Sequence, residues 1–219
     1  MKNRKIKQVS IPLLVCIVSI IIGLTTNNSF LGVIILITGI LNSYYGSIGN
    51  KINFPIGVIN NLALSHIAFK NNNYGLVIFN FLFFMPINIK SYFEWDKNSN
   101  KNLVKNRGLG IKKGLITIVL SIIIGMIVSY LLGLIPGERL TYLDSFTNVI
   151  SLIAGILLML RYNESWILYL INNVLDLILW IINYSSGGFD SLMVLLMSIM
   201  YLLINIYALF KWRSTDEKL

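Results

Sequence analysis

The chain has 219 residues, 56% of them in the AVILMFWYC set and only 12% charged, against about 25% charged in a soluble domain. So few charges cannot cover a water-soluble surface, and so much apolar character excludes disorder, which leaves a polytopic membrane protein. The net charge of +9 then reports which side of a membrane the loops face, and a nucleic-acid partner is not expected.

Eight apolar segments follow one another, at 9–24, 29–48, 53–69, 74–93, 114–135, 143–161, 165–184 and 189–210. The first follows a basic start (Lys2, Arg4, Lys5, Lys7) that resembles a signal peptide. No small-residue cleavage site follows it and more spans come after, so it reads as a retained helix. Asn and Gly clusters separate the others. Backbone groups in lipid must pair within their own segment, so these runs are helices. Continuous apolar runs do not fit the ten-residue alternation of a membrane β-barrel.

One Cys (Cys16) forbids an intrachain disulfide, and one His (His66) forbids a Cys/His metal cluster. Any Ser-His-Asp or Cys-His arrangement would need His66, which lies in an apolar segment without a G-x-S-x-G motif. No P-loop is present. The reading is a non-enzyme with no cofactor and no metal. His66 reads as a hydrogen-bonded packing residue, and Cys16 as a small apolar one.

With eight spans, both termini and the loops at 49–52, 94–113 and 162–164 share one side. That side holds 15 of the 18 Lys and Arg: Lys2, Arg4, Lys5, Lys7, Lys51, Lys97, Lys101, Lys105, Arg107, Lys112, Lys113, Arg161, Lys211, Arg213 and Lys218. The opposite side has Lys70 and Arg139, and Lys90 sits near an inner helix end, where it can snorkel. The asymmetry predicts a multi-pass protein of the cell membrane with both termini cytoplasmic. The stretch from Asp96 to Lys113 reads as a simple positive-inside loop.

A duplication is written into the chain. Ser29-Phe30 followed by Ile37-Thr38-Gly39-Ile40-Leu41 matches Ser145-Phe146 followed by Ile153-Ala154-Gly155-Ile156-Leu157. Ile59-Asn60-Asn61 matches Ile171-Asn172-Asn173, and Asn88-Ile89 with Phe93-Glu94-Trp95 matches Asn205-Ile206 with Phe210-Lys211-Trp212. Three helices per unit invert the chain, and the extra span between the units restores parallel orientation. The predicted organisation is a basic N-terminus and extra helix (1–28), a first three-helix repeat (29–95), a loop and linker helix (96–142), a second repeat (143–212) and a tail (213–219). Parallel repeats of this kind are a transporter architecture with substrate between the halves.

The second repeat reads Leu143-Asp144-Ser145-Phe146, Ser151-Leu152-Ile153-Ala154 and Arg161-Tyr162-Asn163-Glu164-Ser165-Trp166. Together with Asn53-Phe54, Gly57, Asn60 and the Asn88-Ile89 to Trp95 ending, it resembles the bacterial PnuC vitamin transporters, over residues 29 to 212. Trp166 and Tyr169 match the family's W-x-x-W segment. The resemblance implies a SWEET-like three-one-three fold, a homotrimer, and facilitated diffusion of nicotinamide riboside, drawn inward by phosphorylation. The alternatives within it are thiamin, riboflavin or a deoxynucleoside; a substrate-binding subunit of a multi-component importer is a further one. The sequence departs from the family at Gly155, Tyr169, Asp176 and Lys90-Ser91, near positions expected to face substrate.

The candidate substrate-binding residues are the polar and aromatic groups within the spans: Asn60, Asn88, Trp166, Tyr169, Asn173, Asp176, Trp180 and Asn205. A carboxylate in mid-span faces a cavity or a partner, so Asp176 either stabilises a cationic ring or pairs with His66, Lys90 or helix hydroxyls. Amides suit ribose hydroxyls or a carboxamide, or else bond between helices. Adjacent residues point about 100° apart, so one of each Asn pair faces the pore, with Asn60 and Asn173 favoured by family correspondence. Trp166, Tyr169, Asn173 and Trp180 share one helical stripe. Its aromatics either stack on a vitamin ring or anchor the membrane interface. Trp95 and Trp212 at the helix ends read as interface anchors.

Overall fold

The structure is a computed structural model that describes residues 2–26, 28–100 and 103–216, with side chains described for 12–26, 28–99, 104–110 and 112–212. Lys101 and Lys218 of the charge asymmetry therefore lie outside the described residues, as do the side chains of Lys2, Arg4, Lys5, Lys7 and Arg213. The described residues form eight helices: α1 (Lys2–Thr26), α2 (Phe30–Ser47), α3 (Asn53–Lys70), α4 (Tyr74–Lys97), α5 (Ile111–Leu132), α6 (Thr141–Met159), α7 (Ser165–Ser185) and α8 (Ser191–Asp216). A two-stranded ribbon, β1 (Ser99–Asn100) with β2 (Leu103–Val104), lies between α4 and α5. Each helix overlaps one of the eight apolar segments.

Six helices, α2 and α4 to α8, are long and apolar enough to cross a membrane, and the apolar part of α1, Pro12–Thr26, is shorter. The asparagines, serine, histidine and lysine of α3 lower its hydropathy. Burial is inverted relative to a soluble fold. Leu24, Phe30 and Tyr130 are exposed, as are most large residues of α5, whereas Asn73, Asn80, Asn148 and Asn183 are buried. Apolar surface turned outward with amides inside is the pattern of a protein solvated by lipid. The chain is a multi-pass membrane protein.

Packing crosses between two helical triplets, α2 to α4 before α5 and α6 to α8 after it. α2 packs on α3 and on α8, α7 packs on α6 and α8, and α4 packs on α3 and α6. α1 leans on α2 and α5 on α6. The α2–α8 contact is close because Gly39 has no side chain; a Cβ there would sit 2.1 Å from the Met197 sulfur.

Each end of the bundle is tied by hydrogen bonds between segments far apart in sequence. At one end, Trp95 of α4 donates its indole N–H to Leu158 O of α6 at 3.0 Å. Trp212 of α8 donates to Ser47 O of α2, also at 3.0 Å. Both indoles are buried, in one cluster with Phe54, Leu158, Trp166 and Ala208. This corrects the anchor reading: each N–H that would meet headgroup water instead satisfies a carbonyl at a helix C-terminus. At the other end, carboxylates hold helix N-termini. Asp190 takes Ser29 N–H at 3.0 Å and the Ser29 hydroxyl. Asp144 takes Leu76 N–H at 3.1 Å, and Glu138 takes Tyr74 N–H at 2.7 Å. Gly75 permits this approach, since a Cβ there would lie 2.3 Å from Asp144 Oδ2. Burial, chiefly, pushes the Glu138 carboxyl above its ordinary range.

The described residues of the Asp96 to Lys113 stretch also differ from a simple solvated loop. Val104 N–H bonds to Gly49 O at 3.0 Å, and Arg107 exchanges backbone bonds with Arg161 and Asn163. Asn106 donates to Asn163 Oδ1 and Trp212 O at 2.8 Å each. Glu164 accepts from Leu109 N–H at 2.9 Å. Arg107 lies over the Tyr162 ring at 4.3 Å. The segment is a strap laid across the tryptophan end.

Candidate functional site

A cavity of about 190 Å³ lies between the two triplets, lined by residues of α2, α3, α4, α6, α7 and α8 and by none of α1 or α5. Two apolar clusters flank it. Trp166 joins it to the tryptophan cluster, and Trp180 and Met197 join it to a second cluster around Ile35, Ile67, Leu179 and Met193. The structure brings all eight sequence-predicted residues to this one cavity: Asn60, Asn88, Trp166, Tyr169, Asn173, Asp176, Trp180 and Asn205.

Five of the eight come from α7. Residues 166, 169, 173, 176 and 180 step by three and four, so they share one helix face, and that face is turned inward. Trp166 is 2% exposed and Trp180 1%, so neither ring is turned out toward lipid or headgroups. Trp166 packs on Tyr169 with ring centroids 5.9 Å apart. The Asp176 carboxylate accepts a hydrogen bond of 2.6 Å from the Ser198 hydroxyl of α8. Of the partners considered from sequence, it is thus a helix hydroxyl. Lys90 is exposed and absent from the lining. His66 is exposed as well, with its ring centroid 6.3 Å from that of Phe189 and no hydrogen bond among the described residues, so it is not the hydrogen-bonded packing residue expected.

The asparagines divide differently from the expectation. Asn61 and Asn172 line the cavity beside Asn60 and Asn173, because the cavity spans more than the 100° between neighbours on α3 and α7. The Asn60 amide N–H₂ also holds α3 to α2, donating to Ile35 O at 3.1 Å and Thr38 Oγ1 at 3.0 Å. By contrast Asn61 Nδ2, Asn172 Oδ1, Asn173 Nδ2 and the Trp166 indole N–H are buried without a protein partner. Such groups cost free energy to bury unless something else satisfies them.

Asn42, Asn53 and Asn80 line the cavity without having been candidate contacts from sequence, Asn53 having entered only through the family resemblance. Asn80 is the most informative, being 1% exposed with both amide atoms lacking a protein partner. It opens a π-helical turn, Asn80–Phe84, in which Met85 N–H bonds back to Asn80 O. Pro86 explains the turn: it has no N–H, and its ring clashes with the carbonyl four residues earlier, so the helix widens locally. Turns of this kind occur often at functional sites. Pro86 inside an apolar run was the signal.

Of the departures from the family pattern, Gly155, Tyr169 and Asp176 line the cavity, whereas Lys90 and Ser91 do not. Gly155 leaves open the space beside the Tyr169 hydroxyl, where a Cβ would lie 3.5 Å away. Among the described residues, the lining contains no Lys, Arg or His. It offers amides, aromatic faces and one carboxylate, a set that binds and orients a ligand by hydrogen bonding and stacking.

A family model described as nicotinamide mononucleotide transporter matches residues 29–214. A nicotinamide riboside transporter PnuC of Neisseria mucosa is 27% identical over 198 residues, covering 87% of this chain and 74% of that protein. A nicotinamide riboside transporter PnuC of Haemophilus influenzae is 28% identical over 197 residues, covering 88% and 83%. A crystal structure of the vitamin B3 transporter PnuC superposes with a TM-score of 0.83 at 25% identity, over 94% of this chain and 90% of that one.

Proposed function

The chain belongs to the nicotinamide mononucleotide transporter family, and from that premise we propose that it imports nicotinamide riboside across the cell membrane. The protein is a transporter, not an enzyme. The observation that carries the substrate is the composition of the cavity wall, which pairs unsatisfied amides and aromatic faces with a single carboxylate and no cation. Amides suit the carboxamide and the ribose hydroxyls, and indole and phenol faces suit the ring. A phosphorylated nucleotide would need Lys or Arg to replace its water, and the lining has none. The residues proposed to contact substrate are Asn60, Asn88, Trp166, Tyr169, Asn173, Asp176, Trp180 and Asn205, joined by Asn61, Asn80 and Asn172.

Movement follows alternating access between two parallel three-helix repeats, 29–95 and 143–212, linked by α5 in a SWEET-like three-one-three core, with α1 as an eighth span. The crossed packing supports this reading: the first helix of each triplet meets the third helix of the other. So do the end ties, in which the two indole bonds have the same form. On this topology the tryptophan end faces the cytoplasm with both termini, as the cation count implies. Opening either end breaks its ties while those of the other end hold. Uptake is facilitated diffusion, with phosphorylation in the cytoplasm trapping the product, and the assembly is a homotrimer, as the resemblance implies; native mass spectrometry tests the latter.

The substrate is tested by a thermal-shift screen of the purified protein with nicotinamide riboside, nicotinamide mononucleotide, thiamin, riboflavin and deoxycytidine. Nicotinamide riboside stabilises and the mononucleotide does not. Stabilisation by the mononucleotide, or by another vitamin in place of the riboside, overturns the assignment.

A further inference from the structure

Among the described residues, Asp176 is the one carboxylate in the cavity wall, and no Lys, Arg or His lines that wall with it. One carboxylate oxygen, Oδ2, accepts from Ser198 at 2.6 Å. A charge placed in mid-membrane without a countercharge beside it is expensive, and such residues pair with whatever cation the site receives. Its surroundings on α7 fit a flat cation. Tyr169 and Trp180 lie on the same helix face, seven residues before it and four after, and Trp180 is buried beside it. Asn172 and Asn173, one turn away, each have an amide atom without a protein partner.

We propose that Asp176 is a charge-selecting residue: it makes the cavity discriminate by ring charge, admitting the cationic pyridinium of a nicotinamide nucleoside and rejecting the neutral dihydropyridine of the same shape. The inference rests on the transport reading above and adds to it the redox state of the ring. The two ligands share ribose, carboxamide and ring outline and differ by a hydride, so amide contacts read both alike. The carboxylate attracts the oxidised ring alone, and cation–π attraction from Trp180 and Tyr169 acts in the same direction. The same charge repels a ligand phosphate. The Ser198 bond is a second use of the carboxylate, joining α7 to α8, and the test has to separate the two.

Binding of nicotinamide riboside and of 1,4-dihydronicotinamide riboside is measured by calorimetry on the full-length protein, and the readout is the ratio of the two affinities, which does not depend on the fraction of active protein. The native chain favours the oxidised ligand by about tenfold or more. Asp176→Asn keeps an acceptor for Ser198 and removes the charge, and lowers the ratio severalfold, to what the Trp180 and Tyr169 rings alone sustain. Ser198→Ala removes the bond and keeps the charge, and preserves the preference. Equal affinities in the native chain, or an unchanged ratio in Asp176→Asn, overturn the inference while leaving the transport reading intact. Failure of nicotinamide riboside itself to bind the native chain overturns both.

Discussion

Trp212→Phe is the sharpest perturbation of the proposed alternation. Phenylalanine keeps an aromatic ring against Trp95 and Trp166, whose centroids lie 5.9 and 5.5 Å from that of Trp212, and removes the N–H donated to Ser47 O together with part of the buried ring volume. That carbonyl accepts no other bond among the described residues, so its loss leaves a buried acceptor unsatisfied, at a cost of about 1–3 kcal/mol. Trp95→Phe is milder. Leu158 O still accepts from Arg161 N–H at 2.9 Å, so only the net worth of one bond, about 1 kcal/mol, is lost. If these bonds hold the cytoplasmic end shut, the open population rises roughly 5- to 150-fold for Trp212→Phe and about 5-fold for Trp95→Phe. The assay places a lone cysteine at Ser43, which lines the cavity, in a Cys16→Ser background. Its labelling by a membrane-impermeant maleimide is then followed in inside-out vesicles. Labelling rates rise in the order native, Trp95→Phe, Trp212→Phe. An unchanged rate in a Trp212→Phe protein with an unaltered melting profile refutes the lock.

Three further outcomes follow from the bonding around the cavity. Asn80→Leu removes an amide with no protein partner, so melting is unchanged or improved while riboside affinity falls about tenfold; Asn60→Leu, which severs two bonds to α2, instead lowers the melting temperature. Loss of stability in Asn80→Leu contradicts the first half. Glu164→Gln removes the charge that Leu109 and Gly110 N–H meet, and hydrogen exchange at those amides speeds up about fivefold or more, since a charge-assisted bond is worth more than 1 kcal/mol; unchanged exchange refutes the strap. Glu138, held above its ordinary range by burial, contributes stability that is full below its unfolded pKa of about 4.5 and lost as pH rises through the folded value. The melting temperature of Glu138→Gln relative to the native chain therefore climbs with pH, and a flat difference removes the argument.

Lipid made much of the architecture legible. A span excludes charge and pairs its own backbone, so the apolar runs predicted where the helices lie. The inward face of α7 was legible for a related reason: polar groups at steps of three and four must face something other than lipid, and Asn173 and Asp176 do. The same logic failed where one pattern serves two ends. A tryptophan at a helix terminus reads as an interface anchor, and nothing in the residues around Trp95 or Trp212 tells of a carbonyl waiting on another helix. The strap was hidden because Asn-rich basic composition describes a solvated loop equally well, and its order comes from Glu164 and Gly49, far away in sequence. Asn80 sat inside an apolar run, and only the π-turn forced by Pro86 gives it its place in the cavity.

The central claim is that this chain alone carries nicotinamide riboside. The direct measurement is counterflow of labelled nicotinamide riboside into vesicles that contain only the purified protein and unlabelled riboside. Saturable exchange without ATP or an imposed ion gradient, and without competition from nicotinamide mononucleotide, is the predicted result. Absence of exchange by protein that binds the riboside, or exchange that depends on ATP and a second subunit, contradicts it.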